Sequence, residues 1–216
     1  NTSWDALYQR WYKTGIGNAP IKENIAAALV LMSNWDQKKP LVDLCCGSGS
    51  IIIEAALIAT NKAPGLHRRY AFERFPNCDR GLRNTLTKEA KKQEKRHSNT
   101  KIIWHDINQE VLNKAKHNAD NAGVGKHIKR ERKNLLSQKD IKKTYIVTNP
   151  PYGIRLDQAK IKNIHEKLIE LSEENHMTII TNYDSMPRDK SRKITETKNG
   201  AEKCKIYNKA TQASRT

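Results

Sequence analysis

One tetrapeptide of the sequence, Asn149-Pro150-Pro151-Tyr152, combines an amide, two prolines and an aromatic ring. Two consecutive prolines fix φ and remove two backbone donors, so the carbonyl oxygens beside them are left without internal partners. Together with the side-chain carbonyl of Asn149, these oxygens can accept both hydrogens of a planar NH2 group, and the ring of Tyr152 can stack on a base. The tetrapeptide therefore predicts a site for the exocyclic amine of a nucleobase, and its structural alternative is a turn stiffened by proline.

The chemistry of such an amine defines what the site must do. Its lone pair is delocalised into the ring, which makes the nitrogen a poor nucleophile. Two acceptors on its hydrogens favour a pyramidal nitrogen, and a rigid loop holds it in line with a methyl carbon, so catalysis comes mainly from orientation and electrostatics. The predicted catalytic residues are Asn149, Pro150, Pro151 and Tyr152, and this chemistry requires no metal.

A second candidate site is the glycine-containing stretch from Asp43 to Ser50. Gly47 and Gly49 allow a tight turn and a close approach of the backbone to a ligand. The dinucleotide fingerprint requires a third glycine where Ile52 stands, so a pyrophosphate site is weakly supported. An acidic residue followed by this turn suits a cationic ligand such as S-adenosyl-L-methionine, with a plain tight turn as the alternative.

The ends of the next two predicted strands add candidates for the adenosine part of that ligand. Asp106 can accept the two ribose hydroxyls, or it can cap the helix that begins near Gln109. Ile107 beside it can pack on the adenine. Asn134 follows the third predicted strand and can hydrogen-bond the adenine amino group.

These residues lie at the ends of strands that alternate with helices, which predicts a mostly parallel sheet with helices on both faces. The predicted strands cover residues 41–45, 101–105, a weak strand from 128, 145–148 and 177–181. The predicted helices cover about 21–31, 51–59, 81–97 and 109–122, and a further helix has an apolar face at 161, 164, 168 and 171. Asn18 and Pro20 are the start signal of the first helix, the helix at 81–97 is an insertion, and Gly123 ends the helix at 109–122. Residues 193–197 and 203–207 flank Asn199-Gly200, a two-residue hairpin signal. We expect a Rossmann-like α/β fold of the class I methyltransferase type, with seven strands and a C-terminal antiparallel hairpin.

The charge of the chain indicates its partner. The 216 residues suffice for one ordinary α/β domain, and 40 Lys plus Arg against 23 Asp plus Glu give a net charge of +17. Between Lys62 and Lys101 there are 12 basic and 4 acidic residues, and between Gly125 and Tyr145 there are 8 and 2. Each run alone is typical of a solvated surface, but the two together predict a patch that binds the phosphate backbone of a nucleic acid.

Two other features disfavour a membrane or secreted protein. The longest apolar run, at 51–59, is interrupted by Glu54 and is far shorter than the roughly 20 residues that span a bilayer. The four cysteines, at 45, 46, 78 and 204, have no CxxC spacing, which favours a reducing, cytoplasmic setting.

Several stretches make the chain resemble the catalytic domain of the THUMP-associated RNA methyltransferases, specifically the bacterial 23S ribosomal RNA N2-guanine methyltransferase group. The matching segments are 1–3 with 7–10, 19–26, 43–50 with 53–56, 63–68 with 72–76, and 149–153 with Arg155-Leu156. The segments at 63–68 and 72–76 belong to an insertion typical of this group, whereas the loop at 149–152 is shared with adenine and glutamine methyltransferases.

The resemblance implies a role for each candidate residue. Asn149 to Tyr152 would hold a flipped guanine, and Asn24 would lie near the methionine end of S-adenosyl-L-methionine. The remaining cofactor-binding residues are Asp43, Cys45, Gly47, Ser48, Gly49, Asp106, Ile107 and Asn134. Residues 1–18 would be a linker, and residues 19–216 the catalytic domain with a basic helical insertion at 62–100. A THUMP-type RNA-binding region is expected N-terminal to them and is absent from this sequence.

The expected activity is methyl transfer from S-adenosyl-L-methionine to the N2 amine of a guanine, in 23S ribosomal RNA. The alternatives are a tRNA guanine-N2 methyltransferase, an adenine-N6 methyltransferase acting on DNA or RNA, and an RNA-binding module that has lost catalysis. Glutamine methylation of a release factor is least favoured, because it explains neither the insertion nor the two basic runs.

Overall fold

The computed structural model describes residues 6–14, 21–96, 100–151, 157–183 and 192–209. Five helices and seven strands alternate along these residues. The helices are α1 (Glu23–Met32), α2 (Ser50–Ala59), α3 (Arg80–Lys92), α4 (Gln109–Asn121) and α5 (Gln158–Leu171). The strands are β1 (Leu41–Asp43), β2 (Ile102–Asp106), β3 (Ile128–Arg132), β4 (Tyr145–Thr148), β5 (His176–Thr181), β6 (Arg192–Asn199) and β7 (Glu202–Lys209).

The seven strands form one sheet in the order β3-β2-β1-β4-β5-β7-β6. The first five strands are parallel, and β7 is antiparallel to both β5 and β6. The strand order reverses between β1 and β4, and a ligand crevice forms outside the carboxyl ends of parallel strands at such a point. The predicted class of fold is confirmed, including the C-terminal antiparallel hairpin.

Both faces of the sheet are buried, because successive side chains of each central strand point to opposite sides. Leu41, Trp104 and Val147 pack with α1, α2 and α4 in one apolar cluster. Val42 and Ile146 pack with α5 in the other. Helix α2 is buried at nine of its ten residues, as its apolar run predicts.

Several predicted boundaries are wrong by a few residues. Helix α1 begins at Glu23 rather than near residue 21, and the start signal at Asn18 and Pro20 lies outside the described residues. Strand β1 ends at Asp43 rather than at residue 45, since the N–H of Cys45 donates to the Asp43 side chain instead of to a neighbouring strand. The inserted helix, α3, ends at Lys92 rather than at residue 97.

The hairpin is present, but its turn is one residue further along than the sequence signal suggests. Asn199 pairs with Glu202, so the two turn residues are Gly200 and Ala201. Gly200 has φ +66°, and glycine at the first turn position is the requirement of a type II′ turn.

The insertion between α2 and β2 packs loosely on the domain. The N–H of Lys95 donates to the carbonyl of Thr60, and the side chain of Asn61 donates to the carbonyl of Gln93. These contacts lie at the C-terminal end of α2, the end opposite the glycine stretch. None of the 13 residues of α3 is buried. Over the described ranges, no helix is long and apolar enough to cross a membrane.

Candidate functional site

The loop between β1 and α2 depends on two glycines in left-handed conformations. Gly47 has φ +51° and Gly49 has φ +84°. A Cβ on Gly49 would lie 3.1 Å from the Cβ of Ala115 and 3.2 Å from the ring of Trp104, so this position is closed by packing. A Cβ on Gly47 would meet nothing within 4 Å, so the space beside Gly47 is open to a ligand.

Three hydrogen bonds from neighbouring elements hold this loop, in addition to the turn hydrogen bond from the N–H of Gly49 to the carbonyl of Cys46 (2.8 Å). The N–H of Cys46 donates to the carbonyl of His105 (3.0 Å), and the N–H of Gly47 donates to Oδ2 of Asp106 (3.2 Å). From α4, Nδ2 of Asn118 donates to the carbonyl of Ser48 (3.0 Å). The carboxyl end of β2 and the inner face of α4 therefore hold the loop that the sequence predicts to bind the cofactor.

Asp43 lies at the end of β1 and is 1% exposed. Its Oδ1 accepts hydrogen bonds from the N–H of Cys45 (3.1 Å) and from Oγ1 of Thr148 (2.7 Å), whereas its Oδ2 is buried without a partner in the described part of the chain. Burial raises the pKa of Asp43 to about 7, although the hydrogen bond from Thr148 lowers it. A buried carboxyl group with an unsatisfied oxygen suits a cationic ligand.

Asp106 follows the neighbouring strand, and its carboxylate faces the same loop. Its Oδ1 accepts the N–H of Asn108 (2.9 Å), and its Oδ2 accepts the N–H of Gly47. The cap of α4 is Asn108, which accepts hydrogen bonds from the backbone of Glu110 and Val111. The alternative of Asp106 as the cap of this helix is therefore wrong. Ile107 is 60% exposed beside it.

Asn134 and Asn24 are the remaining two cofactor candidates. The side-chain oxygen of Asn134 accepts the N–H of Leu136 (3.0 Å) and caps a short 3-10 helix, Leu135–Ser137. This oxygen keeps a second lone pair that an adenine amino group could use. Asn24 is exposed in the first turn of α1, a helix that packs on α2. The ligand roles of both residues stay predictions.

The proline-containing loop begins directly after β4. Thr148 is the last residue of the strand and is fully buried, while Asn149 is half-buried. Oδ1 of Asn149 is itself buried and accepts no hydrogen bond from any described residue. Pro150 is buried and Pro151 is exposed. Tyr152 lies outside the described residues, as do Arg155 and Leu156.

The two cysteines of the glycine loop have thiols whose pKa is raised. Burial raises the pKa of both the Cys45 and the Cys46 thiols, and the nearby carboxyl group of Asp43 raises them further. A raised pKa favours the protonated thiol at neutral pH, which is a poorer nucleophile than the thiolate. Across the described ranges, no group of three or more His, Cys, Asp or Glu side chains is arranged to hold a metal.

Sequence reasoning did not identify two residues that contact the site. Thr148 connects the two loops through its hydrogen bond to Asp43, and Asn118 holds the carbonyl of Ser48. The signal for Asn118 was available, because it is a polar residue next to the apolar stripe of α4 that includes Ala115 and Ala119. Thr148 has no such local signal.

A sheet in this strand order defines a class I methyltransferase fold. Its glycine loop follows β1 and contacts the acidic residue at the end of β2, and a proline-containing loop follows β4. The chain belongs to the UPF0020 family, described as the RMKL-like methyltransferase domain, whose model matches residues 10–205. The resemblance found in the sequence is thereby confirmed. S-adenosyl-L-methionine is the methyl donor of this family, which confirms the expected cofactor.

Two curated relatives are both named ribosomal RNA large subunit methyltransferase K/L. The relative from Shewanella sediminis is 43% identical over 163 residues, and the relative from Pseudoalteromonas atlantica is 44% identical over 162 residues. Each alignment covers 72% of this chain and 23% of the relative. The matched part of the chain therefore spans less than a quarter of the length of these relatives.

Solved structures of similar proteins extend over nearly the whole chain. SMU.472, whose structure was solved in complex with SAH, has a TM-score of 0.87 at 32% identity, and the match covers 99% of this chain and 58% of the SMU.472 chain. A predicted N6-adenine-specific DNA methylase from Listeria monocytogenes has a TM-score of 0.81 at 29% identity. This match covers 97% of the present chain and 56% of the Listeria chain.

Proposed function

We propose that this domain transfers the methyl group of S-adenosyl-L-methionine to the exocyclic N2 amine of a guanine in large-subunit ribosomal RNA. One observation carries the proposal. Oγ1 of Thr148 donates to Oδ1 of Asp43 over 2.7 Å, which joins the end of β1, where the cofactor loop begins, to the residue that precedes Asn149. The predicted cofactor site and the predicted base site are thus parts of one edge of the sheet.

The residues present fit the cofactor. The cofactor is a cation that supplies a methyl group on a sulfonium centre and keeps the electron pair of the broken carbon–sulfur bond. The buried Oδ2 of Asp43 has no described partner, and a cation bound beside it would favour the ionised carboxylate. Gly47 leaves open space in front of the loop. Asp106, which is held in place by Gly47 and Asn108, has lone pairs left for two ribose hydroxyls. Ile107, exposed beside it, would cover the adenine.

The base site acts by holding the amine. Oδ1 of Asn149 is buried and lacks a described partner, so it can accept one amine hydrogen, and a backbone carbonyl of the proline pair can accept the other. These two bonds direct the nitrogen lone pair toward the methyl carbon. The nitrogen gains one bond to carbon and releases one proton, which passes to solvent. Tyr152 would stack on the extruded base.

Support for ribosomal RNA comes from the relatives and from charge. The curated relatives that are 43% and 44% identical carry the name of a ribosomal RNA methyltransferase. The net charge of +17 is concentrated in two runs, and the contacts of Lys and Arg with phosphates supply most of the sequence-independent affinity for RNA. In this proposal residues 19–216 form the catalytic unit, against which residues 10–14 pack, and the unit works in the cytoplasm beside an RNA-binding region.

The test is a methylation assay that identifies the product. The protein is incubated with radiolabelled cofactor and with ribosomal RNA or transfer RNA from methylation-deficient cells, and the RNA is digested to nucleosides. Labelled N2-methylguanosine from large-subunit RNA is the expected product. Asn149→Ala should abolish the label while leaving cofactor affinity within about threefold, because it removes only an acceptor for the amine. Retained methylation in this variant would contradict the role given to Asn149.

A second candidate function, adenine-N6 methylation, is favoured by one specific comparison. The Listeria monocytogenes structure with a TM-score of 0.81 is named for that activity on DNA. An acceptor pair of this kind can hold the amine of either base. The same digestion separates the two, since labelled N6-methyladenosine would replace the guanine proposal. Absence of any cofactor binding would favour an RNA-binding module without catalysis.

A further inference from the structure

Asn118 lies on α4 and is 2% exposed. Both ends of its side-chain amide form hydrogen bonds to backbone that is distant in the sequence. Nδ2 donates to the carbonyl of Ser48 in the glycine loop (3.0 Å), and Oδ1 accepts the N–H of Thr14 (3.2 Å). A buried amide with both ends satisfied holds its partners in one geometry.

The partner in the glycine loop is the peptide between Ser48 and Gly49, whose N–H donates to the carbonyl of Cys46 within the loop (2.8 Å). Ser48 stands between Gly47 and Gly49, and glycine is the residue with the widest range of accessible φ and ψ. A contact from outside the loop on the carbonyl of Ser48 therefore restricts this peptide further than the turn hydrogen bond alone. Asn118 supplies this outside contact by donating to the Ser48 carbonyl. It lies one helical turn after Ala115, the residue packed closely against Gly49.

The other partner belongs to an N-terminal strap, defined as residues 10–14, that lies across α2 and α4. Tyr12 is fully buried, and its hydroxyl donates to Glu54 of α2 (2.9 Å), which Arg10 also contacts (3.3 Å). Nε1 of Trp11 donates to the carbonyl of Asn121 in α4 (3.3 Å). The strap is thus bound along its length before it reaches Thr14.

We propose that Asn118 is a positioning residue that couples the N-terminal strap to the cofactor loop. By holding the Ser48 carbonyl, it sets the conformation in which Gly47 faces the cofactor, and the docked strap keeps the Asn118 amide in place. The inference rests on the proposed function only where cofactor affinity is the readout. It predicts that loss of the hydrogen bond from the N–H of Thr14 to Asn118 alters the binding of S-adenosyl-L-methionine from outside the site.

The first arm of the test compares two asparagines on α4. Asn118→Ala removes the contact with the loop, whereas Asn121→Ala removes a contact with the strap, a 3.4 Å hydrogen bond to the carbonyl of Tyr12. We expect Asn118→Ala to weaken binding of S-adenosyl-L-homocysteine by about five- to tenfold in calorimetry, as the loss of one hydrogen bond predicts. Asn121→Ala should stay within twofold. Equal affinities for Asn118→Ala and the wild type, or equal losses in both variants, would overturn the proposal.

The second arm changes the strap and leaves α4 intact. Thr14→Pro removes the N–H that Asn118 accepts, and Thr14→Ala keeps it. Thr14→Pro should weaken cofactor binding by several-fold and raise the KM for the cofactor with kcat unchanged within twofold, while Thr14→Ala should behave as wild type. Identical behaviour of the two variants would refute the coupling, even if Asn118→Ala failed to fold.

A third readout does not depend on the ligand. Amide hydrogen exchange of the peptide that covers residues 44–50 should be at least fivefold faster in Asn118→Ala than in the wild type and unchanged in Asn121→Ala. If the wild type bound no S-adenosyl-L-homocysteine, the proposed function would fail, and this measurement alone would decide the inference. Unchanged exchange in Asn118→Ala would then disprove it.

Discussion

At the scale of single residues, Asp43 has a carboxyl group that the fold buries while one of its oxygens lacks a described partner. Burial raises its pKa from the ordinary value of 3.8 to about 7. In the unfolded chain the same group ionises near pH 4. Between pH 4 and 7 the folded state therefore binds more protons than the unfolded state, and Asp43 makes the free energy of unfolding fall as pH rises through this window.

Replacing Asp43 by Asn should remove this pH-dependent cost. Both hydrogen bonds that Oδ1 accepts, from Cys45 and Thr148, can be kept by the amide oxygen. We expect Asp43→Asn to raise the free energy of unfolding of the cofactor-free protein by about 1 to 3 kcal/mol at pH 7.5 and by much less at pH 5. Urea unfolding at the two pH values measures the difference. Affinity for S-adenosyl-L-methionine should fall in the same variant, and equal stabilisation at both pH values would contradict the assignment.

Long-range contacts between residues explain which parts of the site the sequence could not reveal. The glycine loop and the proline-containing tetrapeptide are contiguous in the sequence, so the sequence alone is enough to single out both. The bond between Thr148 and Asp43 joins residues 105 positions apart, and the bond between Asn118 and Ser48 joins residues 70 positions apart. Such pairs become neighbours only when β1, β4 and α4 come together in the sheet.

At the scale of elements, the strands and helices of the parallel part were predictable because each has a strong pattern. Strand β4 is buried at all four residues and α2 at nine of ten, so their apolar runs define them. Strand β3 lies at an edge of the sheet and is mostly exposed, which explains its weak signal. The ends of the helices were less predictable. Helix α1, for example, begins after Lys22 without a side-chain hydrogen bond that caps it.

The loop between β1 and α2 allows two glycines with similar backbone strain to be compared. Gly49→Ala adds a Cβ against Ala115 and Trp104, whereas Gly47→Ala adds one into open space. Both variants suffer the cost of a left-handed φ, about 1 kcal/mol. We expect Gly49→Ala to lose about 1 to 3 kcal/mol more stability than Gly47→Ala, because only the former overpacks the core.

Thermal or urea unfolding of the two glycine variants measures this difference. Gly47→Ala should instead lose affinity for S-adenosyl-L-homocysteine out of proportion to its stability, since its new methyl group stands where we place the ligand. Equal stability of the two variants would show that the contacts of Gly49 relax without cost.

At the scale of the whole molecule, the two basic runs begin near one another. Nζ of Lys62, at the start of the first run, donates to the carbonyl of Ala122 (2.9 Å), three residues before the second run begins at Gly125. Within the second run, Lys129 and Lys133 pair with Glu131 and hold the pKa of that carboxyl group at about 2. The first run extends into α3, whose exposed face includes Leu82 and Leu86. A single RNA-binding patch built from both runs stays a prediction.

The exposed lysines of α3 provide the test of that patch. Lys91→Glu with Lys92→Glu reverses two charges in the last turn of a helix without buried residues, so stability should fall by about 1 to 2 kcal/mol at most, from less favourable interaction with the helix dipole. The matched control is Lys198→Glu with Lys203→Glu, an exposed cross-strand pair in the hairpin of β6 and β7.

If α3 contacts RNA phosphates, its double variant should bind a ribosomal RNA fragment at least about tenfold more weakly at low salt. The slope of log affinity against log salt concentration should also become shallower by about 1 to 2, because two counterion-releasing contacts are lost. Fluorescence anisotropy at four salt concentrations measures both quantities. The hairpin variant should keep its slope and stay within about threefold in affinity. Equal losses in the two variants would mean that net charge, rather than the insertion, attracts the RNA.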